Sequence, residues 1–312
     1  MNVQAKMIGK TVDISIFAIQ FKNAMKNKFI DYTRLVKFEH TIFALPFAMI
    51  GFFLALKEGS DAISWVLLLK VIGCMVFARN SAMGFNRYLD RSFDAANPRT
   101  AKREIPAGVI PARKALIFVI ANSLLFVGTT LLINNLCFYL SPVALFVILG
   151  YSYTKRITPL CHFVLSAGLG LAPIGAYLAV TGQFAVAPLL FSMVVFFWAS
   201  GFDIIYACQD VEFDRSYKLN SIPAMTGVKI ALQLSVIVHI IAALFVISAY
   251  FVLNGGWLFR IGATLFIGLL TYQHFIIKHN DLSRVNMAFG TTNGIASVLF
   301  AIFVIASFYW TI

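Results

Sequence analysis

Nine stretches of the chain read as continuous apolar runs: Phe38–Leu56, Ser64–Met83, Leu116–Ile133, Phe138–Ser152, Phe163–Val180, Val186–Tyr206, Ile230–Leu253, Trp257–Ile277 and Met287–Tyr309. Runs of this kind predict membrane-spanning helices, which need about 20 apolar residues each. The fourth run is short for a full crossing. A transmembrane β-barrel shows shorter segments of alternating polarity instead. The predicted architecture is therefore all-α, an integral membrane bundle of nine transmembrane helices, because in lipid only helices and closed barrels satisfy every backbone polar group internally.

Composition agrees. The chain is 60% hydrophobic and 12% charged, with a mean hydropathy of +0.84, whereas a soluble domain carries about 25% charged residues. No cleavable signal peptide stands out. The segment Met1 to Lys10 is polar, the apolar stretch Ile14–Phe21 is short, and the lysines after it (Lys22, Lys26 and Lys28) suit a segment lying on anionic lipid. Residues 1–30 are accordingly read as a membrane-surface segment. The four cysteines, Cys74, Cys137, Cys161 and Cys208, form no CxxC pair and read as small apolar groups.

Charge then orients the bundle. Basic residues gather before the first run (Lys6, Lys10, Lys22, Lys26, Lys28, Arg34, Lys37) and after the second (Arg87, Arg91, Arg99, Lys102, Arg103, Arg113, Lys114). They recur after the fourth (Lys155, Arg156), the sixth (Arg215, Lys218, Lys229) and the eighth (Lys278, Arg284), for 21 of the 25 in all. This alternation predicts nine spans with the N-terminus and these loops on the cytoplasmic side of the cell membrane. The net charge of +12 is thereby explained by topology. No nucleic-acid motif accompanies it.

The acidic residues are few and concentrated. Of 13, six lie in two short stretches: Asp90 and Asp94 in one, Asp203, Asp210, Glu212 and Asp214 in the other. Each stretch sits at the end of an even-numbered apolar run, so both fall on the same side of the membrane. Asn86, Asp90 and Asp94 at i, i+4 and i+8 share one helix face. Asp203, Tyr206, Asp210 and Asp214 repeat the logic at i, i+3, i+7 and i+11. Neighbouring carboxylates repel unless a cation joins them, and this oxygen-rich pattern suits Mg²⁺ shared with substrate phosphates. The competing reading is a pair of solvated acidic helix ends, paired with Arg87, Arg91 and Arg215. Asp203, inside an apolar run, is the costliest to leave without a partner.

Basic side chains supply the complement. Arg99, Lys102 and Arg103 come after the first acidic stretch, Lys155 and Arg156 after Tyr151, and Arg79 lies seven residues before Asn86. Each is a candidate for diphosphate oxygens, with positive-inside anchoring as the alternative for the loop residues. The histidines (His40, His162, His239, His274, His279) show no metal-binding spacing and read as packed or interfacial, with His40 a candidate for the polar lining of a pocket. No P-loop, GxSxG or dinucleotide fingerprint is present.

Asn86-x3-Asp90-x3-Asp94 and Asp203-x2-Tyr206-x3-Asp210, together with Arg99-Thr-Ala-Lys-Arg103 and Tyr151-x3-Lys155-Arg156, resemble the UbiA-type membrane prenyltransferases, and in particular their quinone-forming branch. The resemblance covers residues 31–312 as one domain. It implies nine helices around a central cavity and Mg²⁺ as cofactor, held by Asn86, Asp90, Asp94, Asp203, Asp210 and Asp214. Asp90, Asp94, Asp203, Tyr206 and Asp210 are the residues it implies for catalysis. Asn86, Arg79, Arg99, Arg103, Lys155 and Arg156 are the candidates for the diphosphate. Glu212 lies outside the shared pattern. The implied partners are a polyprenyl diphosphate, an aromatic acid acceptor of the 4-hydroxybenzoate type and membrane lipid. The implied reaction is Mg-assisted ionisation of the diphosphate, then electrophilic aromatic substitution, in ubiquinone or menaquinone biosynthesis. Alternatives are a dihydroxynaphthoate-type or other acceptor on the same mechanism, and, from another class, a cation or metabolite transporter. A transporter favours polar groups at mid-membrane and broken helices, whereas here the acids gather at one face.

Overall fold

The computed structural model describes residues 30–37, 43–59 and 63–310. The expectations for residues 1–29 and for His40 lie outside the described residues. Among the described residues nine principal helices succeed one another: α1 (Leu45–Gly59), α2 (Trp65–Leu89), α3 (Ala112–Leu131), α4 (Asn135–Thr154), α5 (Cys161–Thr181), α6 (Val186–Ala207), α7 (Val228–Val252), α8 (Trp257–Ile276) and α9 (Asn293–Tyr309). No strand occurs among the described residues. Each apolar run thus coincides with a helix among the described residues, while the number of membrane crossings is not fixed by length and composition alone. Seven described helices are long and apolar enough to cross a bilayer. α1 contributes 15 described residues, and α8 carries Arg260 near its start and Gln273 and His274 near its end.

The helices pack in two groups. α2, α3 and α4 pack on one another; α5 packs on α1 and α6, α6 on α7, α8 on α9, and α9 back on α1. The larger group holds the aromatic core, with Phe47, Phe191, Trp198, Phe259, Phe266 and Phe300 fully buried. Close approach there has a local cause. A Cβ on Gly51 of α1 would lie 2.0 Å from the Pro173 carbonyl oxygen of α5, so the two backbones meet where no side chain intervenes. The two groups join chiefly through α4 and α5, while α1 and α2 scarcely touch.

A buried polar hub ties the far side together. Trp198 Nε1 and Gln273 Nε2 each donate to Asn293 Oδ1 at 2.9 Å. Asn293 Nδ2 donates in turn to the carbonyls of Ala288 and Phe289 at 3.0 and 3.3 Å. Those carbonyls belong to a π-helical turn, Ala288–Thr292, that leads into α9, so the asparagine satisfies backbone groups that the widened turn releases. The same turn sets Phe289 against Tyr206, with ring centroids 4.2 Å apart.

The loops after α2, α4, α6 and α8 meet at one end. Arg99 reaches Asp210, Arg156 reaches Asp90, and Ile277 and Val285 cluster with Ile205. The segment 30–37 belongs to the same end, with Leu35 packed against Ile105, Ile110 and Ala115. The basic loops whose charge predicted a common side are therefore together.

Candidate active site

The two acidic stretches face each other across this end. In the first, α2 ends at Leu89 and a short helix, Arg91–Ala96, begins after Asp90. The i to i−4 bonding continues through the break, from Asp90 N–H to the Asn86 carbonyl at 2.9 Å and from Asp94 N–H to the Asp90 carbonyl at 2.7 Å. Asn86 Nδ2 donates to Asp90 Oδ2 at 3.0 Å, as side chains four apart on one face should. The second stretch departs from the single helical face expected of it. α6 stops at Ala207, a 3₁₀ turn spans Cys208–Asp210, and a new helix runs Val211–Ser216. Three residues per turn in place of 3.6 rotate the downstream residues about the helix axis. Asp210 consequently turns toward the loop after α2, and Asp214 is fully buried.

The five arginine– and lysine–carboxylate ion pairs between described residues and the His162–Asp203 pair all lie here. Arg156 Nη2 meets Asp90 Oδ1 at 3.0 Å, Arg103 Nη1 meets Asp94 Oδ1 at 2.6 Å, and Arg87 Nη1 stands 3.9 Å from Asp94 Oδ2. Lys155 Nζ meets Asp214 Oδ1 at 2.7 Å, and His162 Nδ1 meets Asp203 Oδ2 at 2.7 Å. Arg99 forks onto Asp210, with Nε 3.0 Å from Oδ1 and Nη2 2.5 Å from Oδ2, and its Nη1 donates to the Tyr206 hydroxyl at 3.0 Å. Asn97 Nδ2 adds a further donor to Asp210 at 3.2 Å. Adjacent residues Lys155 and Arg156 thus reach opposite acidic stretches, and the loop 97–103 spans both. Arg79 stands apart from this cluster, donating through Nη2 to the Lys37 carbonyl at 3.3 Å. Lys102 and Glu212 are exposed.

No three acidic, histidine or cysteine side chains converge on a common point among the described residues. Each motif carboxylate is met by a nitrogen donor of the chain instead. Two observations still fit a cation. Asp94 Oδ2 is buried without a hydrogen-bond partner, an expensive state for a carboxylate oxygen. Burial also raises the Asp90 carboxyl above its ordinary pKa, against the opposing pull of Arg156, so its ionised form is under-stabilised by the chain alone. Asn86, Asp90, Asp94, Asp210 and Asp214 therefore offer a hard-oxygen donor set of the type divalent magnesium takes.

A cavity of about 540 Å³ runs inward from this cluster between α2, α4 and α5. Its polar end includes Asn86, Arg87, Arg79, Asp203 and Tyr206; Phe43, Phe202 and Phe289 add an aromatic wall; beyond them the lining is apolar. Val143, Leu171 and Phe184 line it and are also exposed on the outside of the bundle, so the cavity opens sideways. Sequence reasoning did not assign Arg87, Asn97, His162, Ser221 or Phe289 to the site. Ser221 Oγ donates to Asp214 Oδ2 at 2.8 Å. Arg87 lies inside the first acidic stretch, where it reads only as a salt-bridge partner of the acids, whereas Asn97, His162 and Phe289 meet residues of distant segments and leave no local spacing to read.

Comparison with known proteins bears on what this end does. The family model described as the UbiA prenyltransferase family matches residues 44–304. A 4-hydroxybenzoate octaprenyltransferase of Shewanella sp. (strain ANA-3) is 28% identical over 280 residues, 88% of this chain and 96% of that protein. The enzyme of the same name from Tolumonas auensis is 29% identical over 244 residues, 76% and 83% of the two chains. A UbiA homolog from Aeropyrum pernix K1, solved without ligand, superposes with a TM-score of 0.77 at 30% identity, over 86% of this chain and 98% of that one. A UbiA homolog from Archaeoglobus fulgidus bound to GPP and Mg²⁺ gives a TM-score of 0.70 at 21% identity, over 90% and 100%.

Proposed function

Because the chain belongs to the UbiA prenyltransferase family, we propose that it moves a polyprenyl group from its diphosphate to a hydroxylated aromatic acid of the 4-hydroxybenzoate type, on the way to a quinone. The observation that carries this reading is the convergence of two acidic stretches and five basic side chains at the mouth of one apolar, sideways-open cavity. The relatives named 4-hydroxybenzoate octaprenyltransferase and the GPP- and Mg²⁺-bound structural neighbour support it. In this reading the multi-pass bundle lies in the cell membrane with the site on the cytoplasmic side, as the loop charges suggest.

Asn86, Asp90, Asp94, Asp210 and Asp214 would hold magnesium, which supplies charge neutralisation as the allylic C–O bond breaks. Arg99, Arg103, Lys155 and Arg156 then leave their carboxylates for diphosphate oxygens, a planar fork being the better match for the three arginines. The tail enters sideways into the apolar part of the cavity, out of water. Tyr206 and Phe289 line the cavity and supply aromatic surroundings for the allylic carbon as it becomes cationic. The diphosphate leaves with the electrons of the C–O bond, the acceptor ring attacks the carbon, and the ring proton passes to the released diphosphate.

The acceptor belongs deeper. Arg79 precedes Asn86 by seven residues and Asp203 precedes Asp210 by seven, so each lies roughly 10 Å further in along its helix. Both line the cavity. Arg79, a guanidinium at the polar end of the cavity, matches the geometry of the acceptor's carboxylate. Asp203 is paired with His162 rather than with a lysine or arginine and suits the acceptor's hydroxyl. The test is to incubate membranes containing the protein with a labelled polyprenyl diphosphate, Mg²⁺ and a set of aromatic acids, and to identify the lipid product by mass. A prenylated hydroxybenzoate supports the reading. Prenylation of a dihydroxynaphthoate alone would move the acceptor to that class. Failure to prenylate any aromatic acid would refute it.

A further inference from the structure

His162 and Asp203 form a pair that the ion-pair cluster does not account for. His162 is 2% exposed and lies in the first turn of α5. Its Nδ1 is 2.7 Å from Asp203 Oδ2. Its Nε2 accepts the Ile222 backbone N–H at 3.3 Å, which requires a lone pair on Nε2 and leaves the ring hydrogen on Nδ1. The donation therefore runs from His162 Nδ1–H to Asp203. The carboxylate is not a histidine-orienting group here, because the ring is turned away from the cavity and the carboxylate toward it. Asp203 lines the cavity and its side chain is 22% exposed, against 3% for His162. Oδ2 is taken, and Oδ1 makes no hydrogen bond among the described residues.

The histidine itself is anchored from behind. Ile222 comes directly after Ser221, which is fully buried and donates to Asp214. Asn220 N–H donates to the Lys155 carbonyl at 2.7 Å, and the Asn220 carbonyl accepts from Cys161 Sγ at 3.5 Å. The segment 220–222 is thus pinned on one side to the Asp214–Lys155 pair and on the other to His162. One short loop serves both halves of the second acidic stretch, through Ser221 for Asp214 and through His162 for Asp203.

We infer that His162 is a positioning residue that fixes Asp203 by one oxygen and turns the other into the cavity to accept the hydrogen bond of the acceptor's hydroxyl. The inference rests on the proposed reaction and adds to it which side of that reaction the histidine governs. A histidine that merely filled space would affect both substrates alike through the loop. A histidine that orients Asp203 affects the aromatic acid alone.

The experiment is steady-state kinetics with each substrate varied in turn, in detergent-purified wild type, His162→Leu, His162→Asn, His162→Gln and Ser221→Ala. Asparagine places an amide N–H near the position of Nδ1, whereas glutamine reaches toward Nε2. In His162→Leu, kcat/KM for the aromatic acid is expected to fall about 10- to 100-fold, the scale of one charge-assisted hydrogen bond, with KM for the polyprenyl diphosphate unchanged. His162→Asn should recover most of the loss and His162→Gln little. Ser221→Ala should raise KM for the polyprenyl diphosphate and leave that for the aromatic acid in place. Equal losses toward both substrates in His162→Leu, or equal activity in the asparagine and glutamine variants, would overturn the inference while leaving the reaction standing. If His162→Leu does not accumulate, the asparagine and glutamine pair decides alone. A wild type that prenylates no aromatic acid would overturn both.

Discussion

Replacing Asp210 by Asn separates what the site does from what holds it together. Asp210 accepts two hydrogen bonds from the Arg99 guanidinium and one from Asn97. Asparagine preserves the shape, removes the charge and turns one acceptor oxygen into an NH2 donor. A charge-assisted bond contributes about 1.5–3 kcal/mol where a neutral one contributes about 0.5–1.5, so one weakened and one lost bond cost about 3 kcal/mol. The Arg99 side chain is 33% exposed, and solvent screening brings this nearer to about 1 kcal/mol. Stability in detergent should therefore fall by only a few degrees. Activity should fall much further, because the same carboxylate is proposed to bind the ion that neutralises the leaving diphosphate. Losing one preorganised charge-stabilising group typically costs about 10²–10³ in rate. Thermal unfolding and product formation measured on the same purified sample give both quantities. Turnover within threefold of wild type would refute the assignment, and so would a loss of stability large enough to explain the lost activity.

Other perturbations probe other parts of the arrangement. Chelation of divalent ions should stop turnover and added Mg²⁺ should restore it; full activity in excess chelator would count against Asn86 and the motif aspartates as metal ligands. Lys155→Met leaves the fully buried Asp214 without its cation and is expected to destabilise the protein by about 3–5 kcal/mol. The double variant Lys155→Met, Asp214→Leu should regain stability and remain inactive, and a double variant as unstable as the single one in thermal unfolding would contradict this. Gly175 lines the cavity, and a Cβ there meets nothing within 4 Å. Gly175→Leu should therefore fold normally and, offered a mixture of polyprenyl diphosphates, select the shorter tails, as read by product mass; an unchanged chain-length profile would place the tail elsewhere.

Much of this site is legible in the sequence, for identifiable reasons. Asn86 and Asp90 are four apart on a helix, so local geometry alone joins them, and the bond between them forms accordingly. The common end of the loops after α2 and α6 is legible because charge asymmetry across a membrane is a global property carried by many residues. The break at Cys208–Asp210 is not, since no glycine or proline marks it and tertiary contacts impose it. His162, Ser221 and Asn97 escape notice for a different reason. Each acts on a carboxylate that local spacing does not place beside it, and one unaligned sequence holds no signal for such a pairing. The number of crossings is less legible, because polar residues near a helix end, such as Arg260, Gln273 and His274 of α8, lower its mean hydropathy without shortening it.

The seam between the two helix groups has a mechanical consequence. The aromatic core lies wholly within the larger group, and the cavity lies at the border with the smaller one. The walls of the slot therefore belong to different packing units: side chains of α2 and α4 that line it can be exchanged without disturbing a ring of the aromatic core, while the cluster of Phe52 with Val71 and the pairs Arg99–Asp210 and Lys155–Asp214 hold the two units in register.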